Sequence, residues 1–154
     1  MKLSAQEEYG LRCLVTIARA ESSLTIPEIS EIEGMTQPHA AKILAILRKE
    51  GFICSTRGQS GGYTLARQPA EIVVGAVMFA LGGRLLENDY CDRFSGTETA
   101  CRHHGECSLH GLWSSVQNAI DQVVNQITLQ DLLNSTPPNI DMSGPGRTPL
   151  TMAK

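Results

Sequence analysis

Apolar residues recur at three- and four-residue steps through the first fifty residues, and this spacing predicts three successive helices. The apolar stripe of the third helix consists of Ala40, Ile43, Leu44 and Leu47. Residues that start or stop helices stand at the expected boundaries: Ser4, Thr25 and Thr36 as N-caps, Glu28 as the capping-box partner of Thr25, and Gly34 and Gly51 as stops. The pattern therefore predicts a helix-turn-helix preceded by a supporting helix.

The next segment changes from helical spacing to two short β-rich runs around a glycine-rich turn. We expect a β-hairpin in which Gly58, Gly61 and Gly62 allow positive φ values or close backbone approach. The residues with strand propensity are Phe52, Ile53, Tyr63 and Leu65. The predicted fold class is mainly α with a small β-hairpin wing, a winged helix-turn-helix.

The second half of the chain predicts a short helix over 72–81, a cysteine-rich segment and then a long amphipathic helix. This long helix, with Ser108 as its expected N-cap, has apolar residues at helical steps: Leu109, Leu112, Trp113, Val116, Ile120, Val123, Val124 and Ile127. An apolar stripe of this length needs a partner surface, so we expect a C-terminal dimerisation helix. Another short helix starts near Thr128, and the Pro- and Gly-rich residues beyond it predict a disordered tail.

The formal net charge of the 154 residues is −3, which is weak evidence against nucleic-acid binding. Between residues 37 and 67, however, five basic residues stand against one acidic residue, Glu50. Positive charge is therefore concentrated where a helix-turn-helix and its wing meet DNA phosphates. The alternative is an ordinary solvated basic face, and the helix-turn-helix context favours DNA.

The candidate DNA-contacting residues lie on the third helix and in the wing turn. Gln37 and His39 stand in the N-terminal turns of the third helix and are the predicted base readers. Arg57 begins the wing turn, where it can reach a phosphate or a narrow minor groove. The full predicted set is Gln37, Pro38, His39, Lys42, Arg48, Arg57, Gln59 and Ser60. We expect a double-stranded DNA partner.

Five cysteines in a chain without a recognisable export signal favour metal binding or redox sensing over a disulfide scaffold. Three cysteines and a histidine share one segment, with two further histidines as alternates: Cys91, Cys101, Cys107 and His110, then His103 and His104. Thiolates and imidazole suit an iron–sulfur cluster or zinc, and the absence of a Cys-x-x-Cys pair makes zinc the runner-up. We expect Cys13 and Cys54 to be buried structural residues instead.

Other function classes are disfavoured by the sequence. No apolar run reaches the roughly 18 residues of a membrane span, and the N-terminal segment lacks a signal-peptide apolar region. We therefore expect a cytoplasmic protein with no membrane partner. No acid–base or substrate-pocket motif accompanies the cysteines, so an enzyme is the least favoured class. The sequence predicts four parts. They are a DNA-binding domain (1–81), a cluster loop (82–108), a dimerisation helix with the last short helix (109–134) and a disordered tail (135–154).

Three stretches of the sequence together resemble one protein family. They are MKLSAQEEYGLRCL, LRKEGFICSTRGQSGGYTLAR and, after the cysteines, LHGLWSSVQNAIDQVVNQITLQDLL. Over residues 1 to about 134 the chain resembles the Rrf2 family of bacterial transcription regulators. The resemblance implies a homodimer that crosses its long helices and binds a palindromic operator. It also implies a regulator, by our expectation a repressor, that senses redox state, nitric oxide or iron–sulfur status.

The resemblance also implies a ligand set for the cluster. Cys91, Cys101 and Cys107 match the three cysteine ligands of the family, and His110 matches the histidine that completes the 2Fe-2S site in IscR-like members. Glu8 aligns with an acidic ligand that NsrR-like members contribute to the cluster of the partner subunit. We favour His110 over Glu8 as the fourth ligand, and a 2Fe-2S over a 4Fe-4S cluster.

The sequence departs from the family pattern at two places. Nine residues separate Cys91 from Cys101 where the family usually has five, so the loop must bulge. Ala41 stands where IscR-like members can carry a base-discriminating glutamate, so switching between two promoter classes is not carried over. The alternative function is a zinc-stabilised dimeric DNA-binding protein without cluster sensing.

Overall fold

The computed structural model describes residues 4–56, 58, 61–84, 90–98, 101, 103, 107–134 and 140, which form a helical fold with one hairpin. The helices are α1 (Ala5–Arg19), α2 (Ile26–Glu33), α3 (Gln37–Lys49), α4 (Val74–Gly82), α5 (Tyr90–Arg93), α6 (Ser108–Val124) and α7 (Leu129–Leu133). The remaining elements are strands β1 (Ile53–Thr56) and β2 (Gly62–Leu65) and a 3₁₀ helix, Pro69–Glu71. The predicted fold class, mainly α with a β-hairpin wing, is confirmed.

Reciprocal caps start α1 and α2 at the predicted residues. The backbone N–H of Glu7 donates to Ser4 Oγ at 3.2 Å, and the N–H of Ser4 donates to Glu7 Oε2 at 2.8 Å. Thr25 and Glu28 form the same capping box, and Gly34 ends α2 in the left-handed conformation with φ of 65°. These caps satisfy backbone groups that have no partner inside the helix. The predicted caps of both helices are therefore confirmed.

Helix α3 is positioned by packing rather than by a side-chain cap. Thr36 occupies the predicted N-cap position, but its side chain makes no cap hydrogen bond. The predicted apolar stripe is confirmed, because all four of its residues are fully buried: Ala40, Ile43, Leu44 and Leu47. Burial of this stripe leaves the opposite face of α3 open to a partner.

The hydrophobic core lies between α1, α3 and α4, and α2, α7 and the base of the wing close it. Its buried members include Cys13, Leu14, Ile17, Ile29, Ile43, Leu44, Leu47, Phe52, Ile53, Ile72, Val77, Leu81 and Leu129. Gly10 allows α1 and α4 to pack closely, because a Cβ at this position would lie 2.2 Å from Leu81 Cδ1. Any larger residue there would have to displace a buried side chain.

The wing is an antiparallel hairpin that is anchored at its base. The N–H of Leu24 donates to the carbonyl of Tyr63 at 3.1 Å, so the α1–α2 connection pairs with β2. Gly62 permits this approach, because a Cβ there would lie 2.8 Å from the Leu24 backbone. In the turn, Gly58 has a φ of 118°, a region that favours glycine. The expected uses of these two glycines are confirmed.

Two cysteines outside the cysteine-rich segment behave differently. Cys13 is fully buried, as predicted, but the prediction of a buried Cys54 is wrong. Side chains alternate between the two faces of a strand. Ile53 takes the inward position on β1, so Cys54 is exposed, with its Sγ 3.2 Å from Thr64 Oγ1.

After the wing, the chain returns to the core through a short backbone pairing. The helix predicted over 72–81 begins at Val74 instead, because Ile72 and Val73 pair with the segment before α7. The N–H of Leu129 donates to the Ile72 carbonyl at 2.8 Å, and Leu129 is buried in the core. Thus α7 packs with the N-terminal helices, and α6 lies outside that core. Among the described residues, no helix has both the length and the apolarity needed to cross a bilayer.

Candidate functional site

The open face of α3 carries most of the predicted DNA contacts. Gln37, Pro38 and Lys42 are exposed in its first two turns, and Arg48 is exposed in its last turn. All four side chains lie outside the buried stripe, so a partner can reach them. Arg57, Gln59 and Ser60 of the predicted wing turn lie outside the described residues.

The two predicted base readers have different surroundings. Gln37 is exposed, whereas His39 is half-buried and packs against Tyr9 of α1. The two ring centroids are 5.5 Å apart and the ring planes meet at 76°, which is an edge-to-face contact. The sequence pattern did not predict this contact, because Tyr9 and His39 lie on different helices.

One cation in the basic segment has a structural role. Arg67 Nη2 donates to the carbonyl of Glu50 at 3.3 Å, and its guanidinium lies 5.6 Å from the centre of the Phe52 ring. Arg67 therefore stabilises the end of α3 and the start of the wing. The positive charge that faces outward on α3 comes from Lys42, Arg48 and Lys49.

The cysteine-rich segment meets the start of α6 at Cys107. Its thiol occupies the N-cap position, and Cys107 Sγ accepts a hydrogen bond from the backbone N–H of His110 at 3.4 Å. The prediction that Ser108 caps this helix is wrong, because Ser108 is already the first helical residue. A candidate ligand thus holds the first turn of α6, next to the candidate ligand His110.

The three candidate cysteine ligands share one electrostatic environment. Partial burial raises the pKa of Cys91, and the neighbouring thiols of Cys101 and Cys107 and the carboxylate of Asp92 raise it further. Like charges in one place oppose deprotonation, and a bound cation relieves that repulsion. A soft, sulfur-rich donor set of this kind fits iron–sulfur clusters or zinc.

Aromatic packing joins the short helix α5 to α6. The Tyr90 ring lies 4.9 Å from the Phe94 ring and 6.3 Å from the His110 ring, measured between centroids. Tyr90 precedes Cys91, so this contact holds Cys91 and His110 in one neighbourhood. The sequence did not predict α5, whose four residues are too few for a periodic signal.

The donors do not form a closed metal site in this chain. Among the described residues, no three His, Cys, Asp or Glu side chains converge closely enough to hold a metal ion. Glu8 lines a groove between α1, α2 and α7, with Arg12 and Leu132. His103 is exposed, and His104 lies outside the described residues. The ligand set therefore stays a prediction, with a donor chemistry that fits the cofactor.

A polar network that the sequence did not predict links the start of the cysteine-rich segment to the last two turns of α6. Arg84 forms an ion pair with Asp121, and Gln117 Nε2 donates to Asp121 Oδ1 at 2.8 Å. Gln117 and Asp121 are four residues apart and so share a helix face, but the sequence gives no sign that Arg84 reaches them.

Comparison with known proteins decides the family. The model for Rrf2, described as an iron-dependent transcriptional regulator, matches residues 3–135. The chain belongs to the Rrf2 family. Among curated Rrf2 relatives, the HTH-type transcriptional regulator IscR of Serratia proteamaculans is 31% identical over 137 residues, which cover 88% of this chain and 80% of that protein. Protein rrf2 of Nitratidesulfovibrio vulgaris is 33% identical over 135 residues, which cover 86% of this chain and 87% of that protein.

Solved structures agree with this assignment. The structure of IscR from T. potens superposes with a TM-score of 0.68 at 30% identity and covers 88% of each chain. The global cysteine regulator CymR of B. subtilis has a TM-score of 0.66 at 23% identity, covers 89% of this chain and 99% of its own, and supports the fold. As a member of the Rrf2 family, the chain is a winged-helix transcription regulator, and its named relatives are regulators rather than enzymes.

Proposed function

We propose that the chain is a homodimeric repressor that binds a palindromic double-stranded operator and senses redox state, nitric oxide or iron–sulfur status through a bound cluster. The observation that carries this proposal is the placement of Cys107, which is both a candidate cluster ligand and the cap of α6. A change at the ligand set would therefore act directly on the helix that we assign to dimerisation.

The DNA contacts follow from the open face of α3. Gln37 stands in the first turn, where it can read a base edge in the major groove, and Pro38 beside it limits the backbone to helical φ values. Lys42 and Arg48 supply charge for phosphates on the same helix. In the wing turn, we propose that Arg57, Gln59 and Ser60 contact the backbone or the minor groove.

Dimerisation accounts for the exposure of α6. Leu109 is 58% exposed and Leu112 is 51% exposed, and Gln117 is the buried residue of this 17-residue helix. Between α4 and α6 runs a groove of about 640 Å³ that includes the 60% exposed side chain of Phe79. Apolar helix faces of this extent are covered in stable proteins, and a second copy supplies a matching face. A two-fold dimer in turn predicts a palindromic operator.

The proposed cluster ligands are Cys91, Cys101, Cys107 and His110, with Glu8 of the partner subunit as the alternative to the histidine. A 2Fe-2S cluster is preferred over 4Fe-4S, and when bound it would supply a redox-active and nitric-oxide-reactive centre. Support comes from the shared electrostatic environment of the three thiols and from the iron-dependent description of the family. The backbone N–H of His110 donates to Cys107 Sγ, so two of the proposed ligands lie within one helical turn of each other.

Two anchors connect the cysteine-rich segment with α6. Cys107 holds the first turn of the helix, and Arg84 holds Asp121 in its last turn. Loss of ligation at Cys107 frees one end of this connection while the other remains. We therefore propose that the ligand state changes the position of α6, and with it the spacing of the two α3 helices in a dimer.

Metal analysis tests the cofactor. We expect anaerobically purified protein to contain iron and equimolar sulfide and to show a visible absorption band that air exposure bleaches. Zinc without sulfide would instead support the zinc-stabilised dimer without cluster sensing. Protein with neither metal would contradict both proposals.

A conservative pair of substitutions tests the sensor. Cys107→Ser retains a side-chain acceptor for the N-cap but removes the thiolate ligand. We expect it to lose the cluster and to change operator affinity by roughly 5- to 150-fold, while Cys54→Ser, a change at the exposed wing thiol, leaves both as in the wild type. Loss of the cluster from Cys107→Ser with unchanged operator affinity would contradict the sensor role.

The proposal also divides the chain into parts and gives its location. We propose that residues 1–81 form the DNA-binding domain, 82–108 the cluster loop and 109–134 the dimerisation region. Apart from residue 140, the tail 135–154, which the sequence predicts to be disordered, lies outside the described residues. A cytoplasmic location follows from the proposed operator partner. Repression is tested with a reporter behind the operator, whose expression should rise when the gene for this chain is deleted.

A further inference from the structure

A chain of contacts that begins at a buried carboxylate reaches the recognition helix. Glu33, at the end of α2, is 8% exposed. Its Oε2 accepts a hydrogen bond from Arg12 Nε at 2.7 Å, and its Oε1 accepts one from the Thr16 hydroxyl. Both carboxylate oxygens are therefore engaged, and a buried charge held in this way has one strongly preferred geometry.

Arg12 carries this constraint to Tyr9. The guanidinium of Arg12 lies 5.1 Å from the centre of the Tyr9 ring, a cation–π contact between neighbours on one face of α1. Because Glu33 fixes Arg12, the ring of Tyr9 is supported on that side. The Tyr9 ring also packs edge-to-face on His39, and it borders the hydrophobic core.

His39 lies in the first turn of α3, the part of the helix that has the weakest local support. Thr36 gives this turn no side-chain cap, whereas α1 and α2 start with reciprocal capping boxes. The His39–Tyr9 contact therefore ties the uncapped turn to α1. It also restricts the rotamer of His39, which is itself a predicted base reader.

We propose that Tyr9 is a positioning residue for operator recognition: it fixes His39, and with it the first turn of α3, before DNA binds. The inference rests on the proposal that this turn of α3 reads the operator. A side chain that is already ordered loses less conformational entropy on binding, about 0.5–1.5 kcal/mol for each residue, which corresponds to a roughly two- to tenfold gain in affinity. The gain applies to the sequence-specific complex, because phosphate contacts do not need an ordered His39.

The test compares Tyr9→Leu, Tyr9→Phe, His39→Ala and the double variant Tyr9→Leu/His39→Ala. The probe is a duplex that the wild-type protein selects from a randomised library, with a scrambled duplex for non-specific binding, at equal iron content. We expect Tyr9→Leu to lower affinity for the selected duplex roughly two- to tenfold while affinity for the scrambled duplex and the salt dependence stay unchanged. Tyr9→Phe should behave as the wild type, since the ring is retained.

Two outcomes separate positioning from a purely structural role. If Tyr9 acts through His39, the double variant should bind no more weakly than His39→Ala alone. Equal losses on both duplexes, with a lower unfolding midpoint, would make Tyr9 a stability residue and overturn the inference. Fully additive losses would also overturn it. Failure of the wild type to enrich any duplex would contradict the proposed function itself, which is a distinct result.

Discussion

The helices α3 and α6 are both amphipathic, but the apolar face of α3 is buried and that of α6 is largely exposed. The four stripe residues of α3 are fully buried against α1 and α4, whereas Leu109 and Leu112 of α6 remain more than half exposed. The N-terminal part of the chain therefore has a core of its own, while α6 carries apolar surface that the described residues of one chain leave exposed. We assign α3, whose apolar face is already buried, to DNA binding. We assign α6, whose apolar face is still exposed, to contact with a second copy of the chain.

The largest loss of stability is expected from a change in the buried apolar face of α3. Leu44→Ala removes a fully buried side chain at the centre of the core, and we expect the free energy of unfolding to fall by about 2–5 kcal/mol. Urea denaturation measures the loss. The matched variant Leu112→Ala should cost less than about 1 kcal/mol in protein diluted until it is monomeric, since its side chain is exposed there. Equal losses would remove the distinction between the two helices.

A negative charge on the exposed apolar face of α6 should weaken the proposed dimer. We expect Leu112→Asp to weaken self-association by roughly thirtyfold or more, because a carboxylate would enter an apolar interface. Sedimentation equilibrium measures the dimer dissociation constant. Ile32→Asp is the control, since Ile32 is a comparably exposed apolar residue on a different helix, α2, at 58% against 51% for Leu112, and it should dimerise normally. A monomeric wild type, or a dimeric Leu112→Asp, would contradict the assignment of α6.

A smaller effect is expected from the exposed side of α3, which we propose contacts DNA. Lys42→Ala should lower DNA affinity about fivefold on selected and scrambled duplexes alike and reduce the salt dependence by about one phosphate contact. Arg19→Ala, which removes an exposed cation from the end of α1, is the control and should bind normally. If Lys42→Ala kept the full salt dependence, Lys42 would not contact a phosphate.

The smallest effect concerns the two cysteines outside the cysteine-rich segment. Burial, and secondarily the charge of Glu33, raises the pKa of Cys13 from 9.0 to about 12, whereas Cys54 is exposed. The raised pKa means that the neutral Cys13 thiol stabilises the fold fully below pH 9, and that this contribution is lost as the pH rises toward 12. The loss of stability between pH 9 and 12 should therefore be shallower in Cys13→Ala than in the wild type.

Thiol labelling gives an independent measurement of the same difference. At pH 8, iodoacetamide should modify Cys54 in the folded protein and reach Cys13 only after unfolding, as read by peptide mass spectrometry. Equal labelling rates for the two thiols in folded protein would contradict the buried position of Cys13.

The sequence predicted the helices and the wing well, because their signals are local. Caps such as Ser4 and Thr25, and the stripe on α3, are read within one turn or two. The errors arose where pairing or face choice depends on distant residues. Ile72 and Val73 were predicted to be helical, but they pair with the segment before α7. Cys54 was predicted to be buried, but it lies on the exposed face of the four-residue strand β1.

The candidate site was predicted in part for the same reason. Residue types and spacing single out Gln37, Lys42 and the cysteines, but the contacts that position them join separate elements. The packing of Tyr9 on His39 and the ion pair of Arg84 with Asp121 have no sequence signal, because each connects residues at least 30 positions apart. The cap at Cys107 was missed because serine is the commoner N-cap and stands one residue later.

The central claim, that the ligand state of the cysteine site sets DNA affinity, is tested most directly by one ratio. Fluorescence anisotropy under anaerobic conditions measures the affinity for the selected duplex before and after a chelator removes iron from the same preparation. The account predicts that the two affinities differ by roughly 5- to 150-fold in the wild type and are equal in Cys107→Ser. Equal affinities in the wild type, with iron loss verified, would contradict it.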